Sequence, residues 1–299
     1  MPIYQAEQYV KRCVDCIERQ TYSNYELVLI NDGSTDRSYE ICLEYAKKNN
    51  KIKVLTHSNR GQAFSRNKGI ESCTGDYVLF LDVDDWLADD ALETINSLLE
   101  DESLELILYK YAMVYENGKI MRVPMTFPDR SISGEEALKY LFRQKIRSYV
   151  SLAVKKTVLN DIRFPEGRIY EDTGTVYRII GLSKCVGFID KVLYFYYQRN
   201  NSTIHSYSTK AALDMLKNVD EQEIFVMNTK PELLDDFKVY ELLMLSHCYS
   251  LAIKANADDS VKVDLLNRMK KNFTFRRLFK QNSLKDMLRI TIIMMGIYK

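Results

Sequence analysis

Tyr77-Val78-Leu79-Phe80-Leu81-Asp82-Val83-Asp84-Asp85 is the stretch whose reading decides the fold. Five apolar or aromatic residues, suited to a buried strand, run directly into three carboxylates within four positions. Carboxylates this close repel one another, so ionising all of them is costly unless a cation shares the site. At the end of a buried strand they suit a hard divalent ion held through oxygen. A polar, Asp-rich turn leading into a helix cap is the competing reading of the same residues.

Upstream, Leu27-Val28-Leu29-Ile30 predicts a second buried strand over residues 26–31, ending in Asp32-Gly33 and followed by Ser34, Thr35 and Asp36 as helix-start residues. A helix to about Lys48, a strand over 51–56, a helix over 62–73 and a turn at Gly75-Asp76 lead to the strand at 77–81. Helical period returns over 88–99. Strands alternating with helices indicate parallel βαβ units, and unbroken apolar runs indicate strands covered on both faces. In an open parallel sheet ligands sit beyond the carboxyl ends of the strands, where both Asp32 and Asp82-Val83-Asp84 fall. Two acidic clusters about fifty residues apart are therefore expected to face one crevice.

Downstream, 104–115 reads as a further strand, 134–143 as a helix and 184–198 as a pair of strands rich in Val, Phe and Tyr. From about Thr209 the pattern becomes helical over 211–228, 233–256 and 261–279. The expected division is an α/β domain over 1–207 and a helical region over 208–299.

The chain has 299 residues, 46% of them hydrophobic, enough for a packed core. Its net charge of +1 argues against a nucleic-acid partner. Six dispersed cysteines point to a reducing compartment rather than a disulfide scaffold. Cys13 and Cys16 form a C-x-x-C with no second pair, on one face of an amphipathic helix, which favours core packing over zinc or redox chemistry. The charged start of the chain does not resemble a signal peptide, so a cytoplasmic protein is expected. Near the end, Arg276, Arg277, Lys280, Lys285 and Arg289 interleave with Phe273, Phe275, Leu278, Phe279, Leu284 and Leu288. Peripheral contact with the inner membrane face is one reading; a solvated face over a core stripe is the other.

Several motifs now fall in order. Pro2-Ile3-Tyr4-Gln5-Ala6-Glu7 precedes Gln20-Thr21-Tyr22 and Ile30-Asn31-Asp32-Gly33-Ser34-Thr35-Asp36; Asn59-Arg60-Gly61 and Ser65-Arg66-Asn67-Lys68-Gly69-Ile70 follow; then come Asp82-Val83-Asp84-Asp85 and Tyr170-Glu171-Asp172. In this order they resemble the family 2 glycosyltransferases over most of the chain up to roughly Tyr207. The resemblance implies an α/β, Rossmann-like GT-A fold and an inverting transfer. An acceptor hydroxyl would attack the anomeric carbon of a nucleotide sugar, expelling the nucleoside diphosphate. It also implies a UDP-sugar donor and a saccharide or lipid-linked saccharide acceptor, in capsule, exopolysaccharide or cell-wall polysaccharide assembly.

Carried over residue by residue, the resemblance gives Pro2 and Tyr4 to the nucleotide loop, Asp32 to the uracil N3 hydrogen and Asp82 to a ribose hydroxyl. Arg66 would approach the base or phosphates, with a surface or structural role as its alternative. Asp84 would ligate Mn²⁺ or Mg²⁺, which polarises the diphosphate; Asp85 would support it and Trp86 pack beneath. Arg199, Ser202 and His205 lie in a loop that would fold over the diphosphate, with His205 as a further metal ligand. Asp172 is the candidate general base and Glu171 its neighbour; a helix N-cap is the other reading of Asp172. A nucleotidyltransferase would need a Gly-rich basic phosphate loop, which the sequence lacks. The family's first buried strand precedes the Pro-x-Tyr loop, and here only Met1 stands ahead of Pro2. An unpaired sheet edge and a weakened nucleotide wall are expected, and with them the alternative of a catalytically impaired, glycosyltransferase-like binding protein.

Overall fold

All six residues of β2 (Leu27–Asp32) are buried, as its unbroken apolar run requires for a strand covered on both faces. In the computed structural model, which describes residues 1–99, 101–144, 151–199, 207–281 and 283–297, β2 is the centre of a parallel sheet. Its neighbours are β1 (Pro2–Ile3) and β3 (Ile52–His57), with Pro2 opposite Ile30 and Leu27 opposite Ile52. The helices α1 (Glu7–Glu18), α2 (Ser38–Lys48) and α3 (Gln62–Ser72) connect these strands and lead out of them. α1 buries Val10, Cys13, Val14, Cys16 and Ile17, so both thiols of the C-x-x-C are free and in the core.

A second, mixed sheet follows. It holds β4 (Tyr77–Leu79), β5 (Trp86–Leu87), β6 (Leu106–Tyr115), β7 (Ile120–Arg122), β8 (Leu152–Lys155) and β9 (Val186–Gln198), in the order β4-β8-β6-β9-β5 with β7 attached to β6. Among the described residues of this sheet, only β6 and β9 pair in parallel; the other pairs are antiparallel, where alternation with helices had suggested parallel strands throughout. The stretch expected as two strands is the single long β9. Tyr109 pairs with Ile189 but Lys110 with Val192, so a bulge at Asp190-Lys191 interrupts the register and breaks the period without ending the strand. The short helix α4 (Ala91–Leu98) follows β5.

The chain divides into two compact units that interleave in sequence. The first, Met1–Gly134, Ser148–Gly167 and Leu182–Asn200, contains both sheets. The second, Glu135–Arg147, Arg168–Gly181 and Asn201–Lys299, is helical. Its helices are α5 (Gly134–Gln144), α6 (Val176–Leu182), α7 (Thr209–Thr229), α8 (Leu234–Lys254), α9 (Asp259–Asn272), α10 (Phe275–Phe279) and α11 (Leu284–Met294). α5 and α6 precede residue 208 yet belong here, because their apolar faces pack on the later helices. Phe142 meets Phe237 edge-on at 5.4 Å and Tyr177 meets Phe225 at 5.2 Å. The helix expected over 261–279 is broken after Asn272, and the Thr274 hydroxyl caps α10 by accepting from the Arg277 amide.

The first unit carries an open slot of about 670 Å³ between two strand edges. Residues 24–28, leading into and forming the start of β2, line one wall, and residues 76–81, around β4, line the other. At the head of this slot the Met1 ammonium donates to the Val28 carbonyl at 2.9 Å. Complete burial pushes this amino group down from 8.0 to about 6, against the opposing pull of Cys13 and Asp82. Between those values the unfolded amine holds more protons than the folded one. For the 299-residue chain, stability therefore drops as pH falls from 8 to 6, by about 2–3 kcal/mol in the limit. Nα-acetylation keeps an N–H for Val28 but removes the charge, and should flatten this window in urea unfolding; identical pH profiles for the two forms would exclude the amine as the cause.

Candidate active site

The site is built outward from α3, whose N-terminus meets the end of β2. Asp32, 3% exposed, accepts from the Arg60 amide through Oδ1 (2.7 Å) and from the Gly61 amide through Oδ2 (2.9 Å). Gly61 is the residue that opens α3, so the carboxylate lies at the positive end of that helix. His57 Nδ1 approaches Asp32 Oδ1 at 3.3 Å, and Ser65 lies 3.2 Å from its Nε2, which gives this histidine a structural setting. An ionised carboxylate has about four lone-pair sites, so Asp32 retains capacity for one more donor. Gly33 is required beside it: its φ is +70°, and a Cβ there would stand 2.7 Å from the Asn59 nitrogen.

One turn into α3, Arg66 donates to Asp82 Oδ1 at 2.9 Å. Its side chain is 1% exposed, so Arg66 is set inside the unit with Asp82 as its partner. α3 thereby connects the two acidic positions that the sequence placed beyond separate strand ends. The two loops ahead of them are laced together. Gln5 Oε1 accepts from the Thr35 amide (2.9 Å), Ser38 Oγ from the Ala6 amide (2.8 Å) and Glu7 Oε2 from the Arg37 amide (3.0 Å). Gln5 adopts a positive φ of 47°, and Tyr4 beside it stands 50% exposed. Pro2 is committed to β1 through its pairing with Ile30.

The three clustered carboxylates have three different settings. Asp82 faces Arg66. Asp84, 8% exposed, pairs with Arg199 at 2.6 Å, while burial and then Asp82 raise its pKa above the ordinary carboxylate value. Asp85 is fully buried and accepts from the Tyr194 hydroxyl (2.5 Å) and the Tyr197 amide (2.7 Å). Burial, followed by Asp84 and Asp82, pushes Asp85 well above the usual range.

Arg12 holds the loop from below and had no signal in the sequence. Its guanidinium lies 4.6 Å from the Trp86 ring centre and 4.7 Å from that of Tyr197, and it donates to the Asp84 carbonyl oxygen. Trp86 stacks on Phe195 with ring centres 5.7 Å apart, beneath the loop. The Tyr-rich run of β9 was the available hint for Tyr194 and Tyr197; nothing local marks Arg12.

Among the described residues no three His, Cys, Asp or Glu side chains converge to cage a cation. Asp82 and Asp84 supply oxygen donors suited to a hard ion. Asp84 fits the role better, since its partner Arg199 is 37% exposed and can be exchanged, whereas Arg66 is buried. Further ligands would come from phosphate oxygens. His205 and Ser202 lie outside the described residues.

Glu171 and Asp172 belong to the second unit. Glu171 is 3% exposed. Asp172 accepts from the Thr173 amide through its carboxylate (2.7 Å), and its carbonyl accepts from Thr175 and Val176 (2.9 Å each), in the turn that enters α6. α6 itself starts at Val176, so Asp172 stands in the turn ahead of the helix, and the Thr173 amide that its carboxylate bonds is not an amide of α6.

Replacing Asp32 by Ala strands two amides at the head of α3. Charge-assisted bonds of this kind are worth about 1.5–3 kcal/mol each. The variant should lose about 3 kcal/mol or more in urea unfolding, and Asn should recover only part, since one of its two side-chain ends cannot accept; an unchanged midpoint for Asp32→Ala would refute the anchoring role.

Against known proteins, residues 1–162 match the family model described as Glycosyl transferase family 2. The chain is 26% identical over 253 residues to the glycosyltransferase GlyA of Streptococcus pneumoniae, covering 82% of this chain and 36% of GlyA. It is 28% identical over 218 residues to the minor teichoic acid biosynthesis protein GgaB of Bacillus subtilis, covering 71% of this chain and 24% of GgaB. It thus spans about a third or less of either relative's length. In three dimensions it resembles S. aureus TarS 1–349, solved with UDP-GlcNAc, with a TM-score of 0.74 at 20% identity, over 99% of this chain and 87% of that one. The fold is therefore GT-A, and the chain belongs to glycosyltransferase family 2.

Proposed function

We propose that this glycosyltransferase moves a hexosyl group from a UDP-sugar to a hydroxyl of a saccharide or lipid-linked saccharide, with inversion, in assembly of a surface polysaccharide. Capsule, exopolysaccharide and cell-wall polymer are the classes in view, and the likeness to a teichoic acid biosynthesis protein supports the last. The observation that carries the reading is the α3 tie. One rigid helix fixes Asp32 at its head and, through Arg66, Asp82 one turn later. Two fixed acceptors of this kind suit the N3 hydrogen of a uracil and a hydroxyl of its ribose, with Tyr4 and Pro2 bordering the base.

Asp84 is the proposed ligand of Mn²⁺ or Mg²⁺, which when bound neutralises the departing diphosphate. Arg199, exchanged from Asp84, is then a cation available to the same phosphates. Asp172 is proposed, on the family resemblance, to accept the proton of the attacking hydroxyl, with Glu171 beside it in sequence. The new bond joins the acceptor oxygen to the anomeric carbon; the bond to the phosphate oxygen breaks, and UDP carries away its electron pair.

Screening UDP-sugars for metal-dependent UDP release tests this directly. Asp84→Ala and Asp172→Asn should each lower the rate by roughly 10²–10⁴-fold, the range for loss of a charge-stabilising or proton-transfer group. Full activity in both variants would remove the assigned roles. The second reading is a glycosyltransferase-like binding protein with impaired transfer. A large rise in melting temperature on adding UDP with Mn²⁺ would exclude weakened donor binding.

A further inference from the structure

The second unit carries an apolar surface that its own core does not use. Phe275 and Phe279 on α10 are 71% and 69% exposed, and Leu284 and Leu288 on α11 are 83% and 61% exposed. Met295 and Ile297 continue it at the end of α11. The pairs 275/279 and 284/288 are each four apart, so each forms one stripe of its helix. On α11 that stripe is distinct from the one facing the core. Ile290 and Ile293 are buried, and at 100° per residue they fall on the opposite side from Leu284, Leu288 and Met295. α11 is therefore apolar on two faces, and only one of them is satisfied within the unit.

The surroundings of the exposed face are cationic. Residues 268–289 contain eight Lys or Arg and a single acid, Asp286. Arg289 does not join the outer surface, since it turns inward to Ser246, His247 and Asp286. Arg276 and Lys280 flank the Phe275–Phe279 stripe, 76% and 40% exposed, and share one counter-charge, Asp235. Lys285 stands next to Leu284 at the start of α11. Among the described residues no helix is long and apolar enough to cross a membrane.

We propose that α10 and α11 dock on the surface of an anionic phospholipid bilayer, with Phe275, Phe279, Leu284 and Leu288 at the boundary between headgroups and acyl chains. Arg276, Lys280 and Lys285 pair with lipid phosphates. Charge complementarity selects this occupant. Large side chains ringed by cations gain from both the hydrocarbon boundary and the negative surface, which a neutral protein groove supplies only in part. The proposal goes beyond the transfer reaction and does not require it, because binding is measured without donor or acceptor.

The full chain is mixed with vesicles of phosphatidylcholine alone or of phosphatidylcholine with phosphatidylglycerol, and bound protein is measured by co-sedimentation. Binding should be at least roughly tenfold tighter to the anionic vesicles and should weaken as salt is raised. Leu284→Glu with Leu288→Glu should reduce it by roughly tenfold or more while leaving the circular dichroism spectrum unchanged, since both residues are exposed. Lys285→Glu should reduce it on anionic vesicles alone. Equal binding to both vesicle types, or retained binding in the double variant, overturns the proposal. A dimer in light scattering that the double variant dissolves, without vesicle binding by the native chain, assigns the face to a second copy instead.

Discussion

The ion pair between the buried Arg66 and the partly exposed Asp82 is the constraint on which the candidate site depends. A guanidinium with 1% of its side chain exposed is costly to desolvate, and its partner carboxylate offsets that cost only while the geometry is held. Holding it fixes α3 against the segment that follows β4. The same helix is fixed at its head by Asp32, which accepts two backbone amides there. Two acidic loops that are separate in sequence thereby become a single rigid element. Rigidity of this kind is what positioning a nucleoside asks of a protein, because a loosely held acceptor would lose in ordering what it gains in bonding.

The acidic cluster shows the complementary problem. Three carboxylates within four positions cannot share one environment without mutual repulsion, and the fold gives each a different one. Asp82 has a buried guanidinium, Asp84 a half-exposed one, and Asp85 a phenol and an amide from β9. The partners come from α3, from the residue after β9 and from β9 itself, so the cluster is compensated only once the sheets have formed. Burial still raises Asp84 and Asp85, which marks the loop as a place where added positive charge is favourable. Arg12, between Trp86 and Tyr197, supports the loop from below and donates to its backbone.

Much of the first unit was legible because its signals are local. Leu27-Val28-Leu29-Ile30 is too apolar and too short to be anything but a buried strand, and Asp32-Gly33 has to turn. The bulge that merges two expected strands into β9 was not legible: the polar Asp190-Lys191 interrupts the apolar run, and pairing with β6 carries the strand through it. The placement of α5 and α6 with the helical unit was equally hidden, since an amphipathic helix states that it has an apolar face but not which partner covers it. The same ambiguity attends the C-terminal stripe. Interleaved basic and apolar residues fit a core helix or a surface one, and burial of Ile290 and Ile293 with exposure of Leu284 and Leu288 separates the two sets.

By itself the sequence determined the strand and helix alternation, the Asp-rich loop at a strand end and the order of motifs that matches the family. These rest on side-chain period and turn chemistry, which act over a few residues. Only the tertiary structure decided which group neutralises each carboxylate and that Arg66 serves Asp82 from inside the unit. Those outcomes depend on contacts between residues tens of positions apart. Burial and pairing there follow from how the elements pack, and no local pattern of residues encodes it.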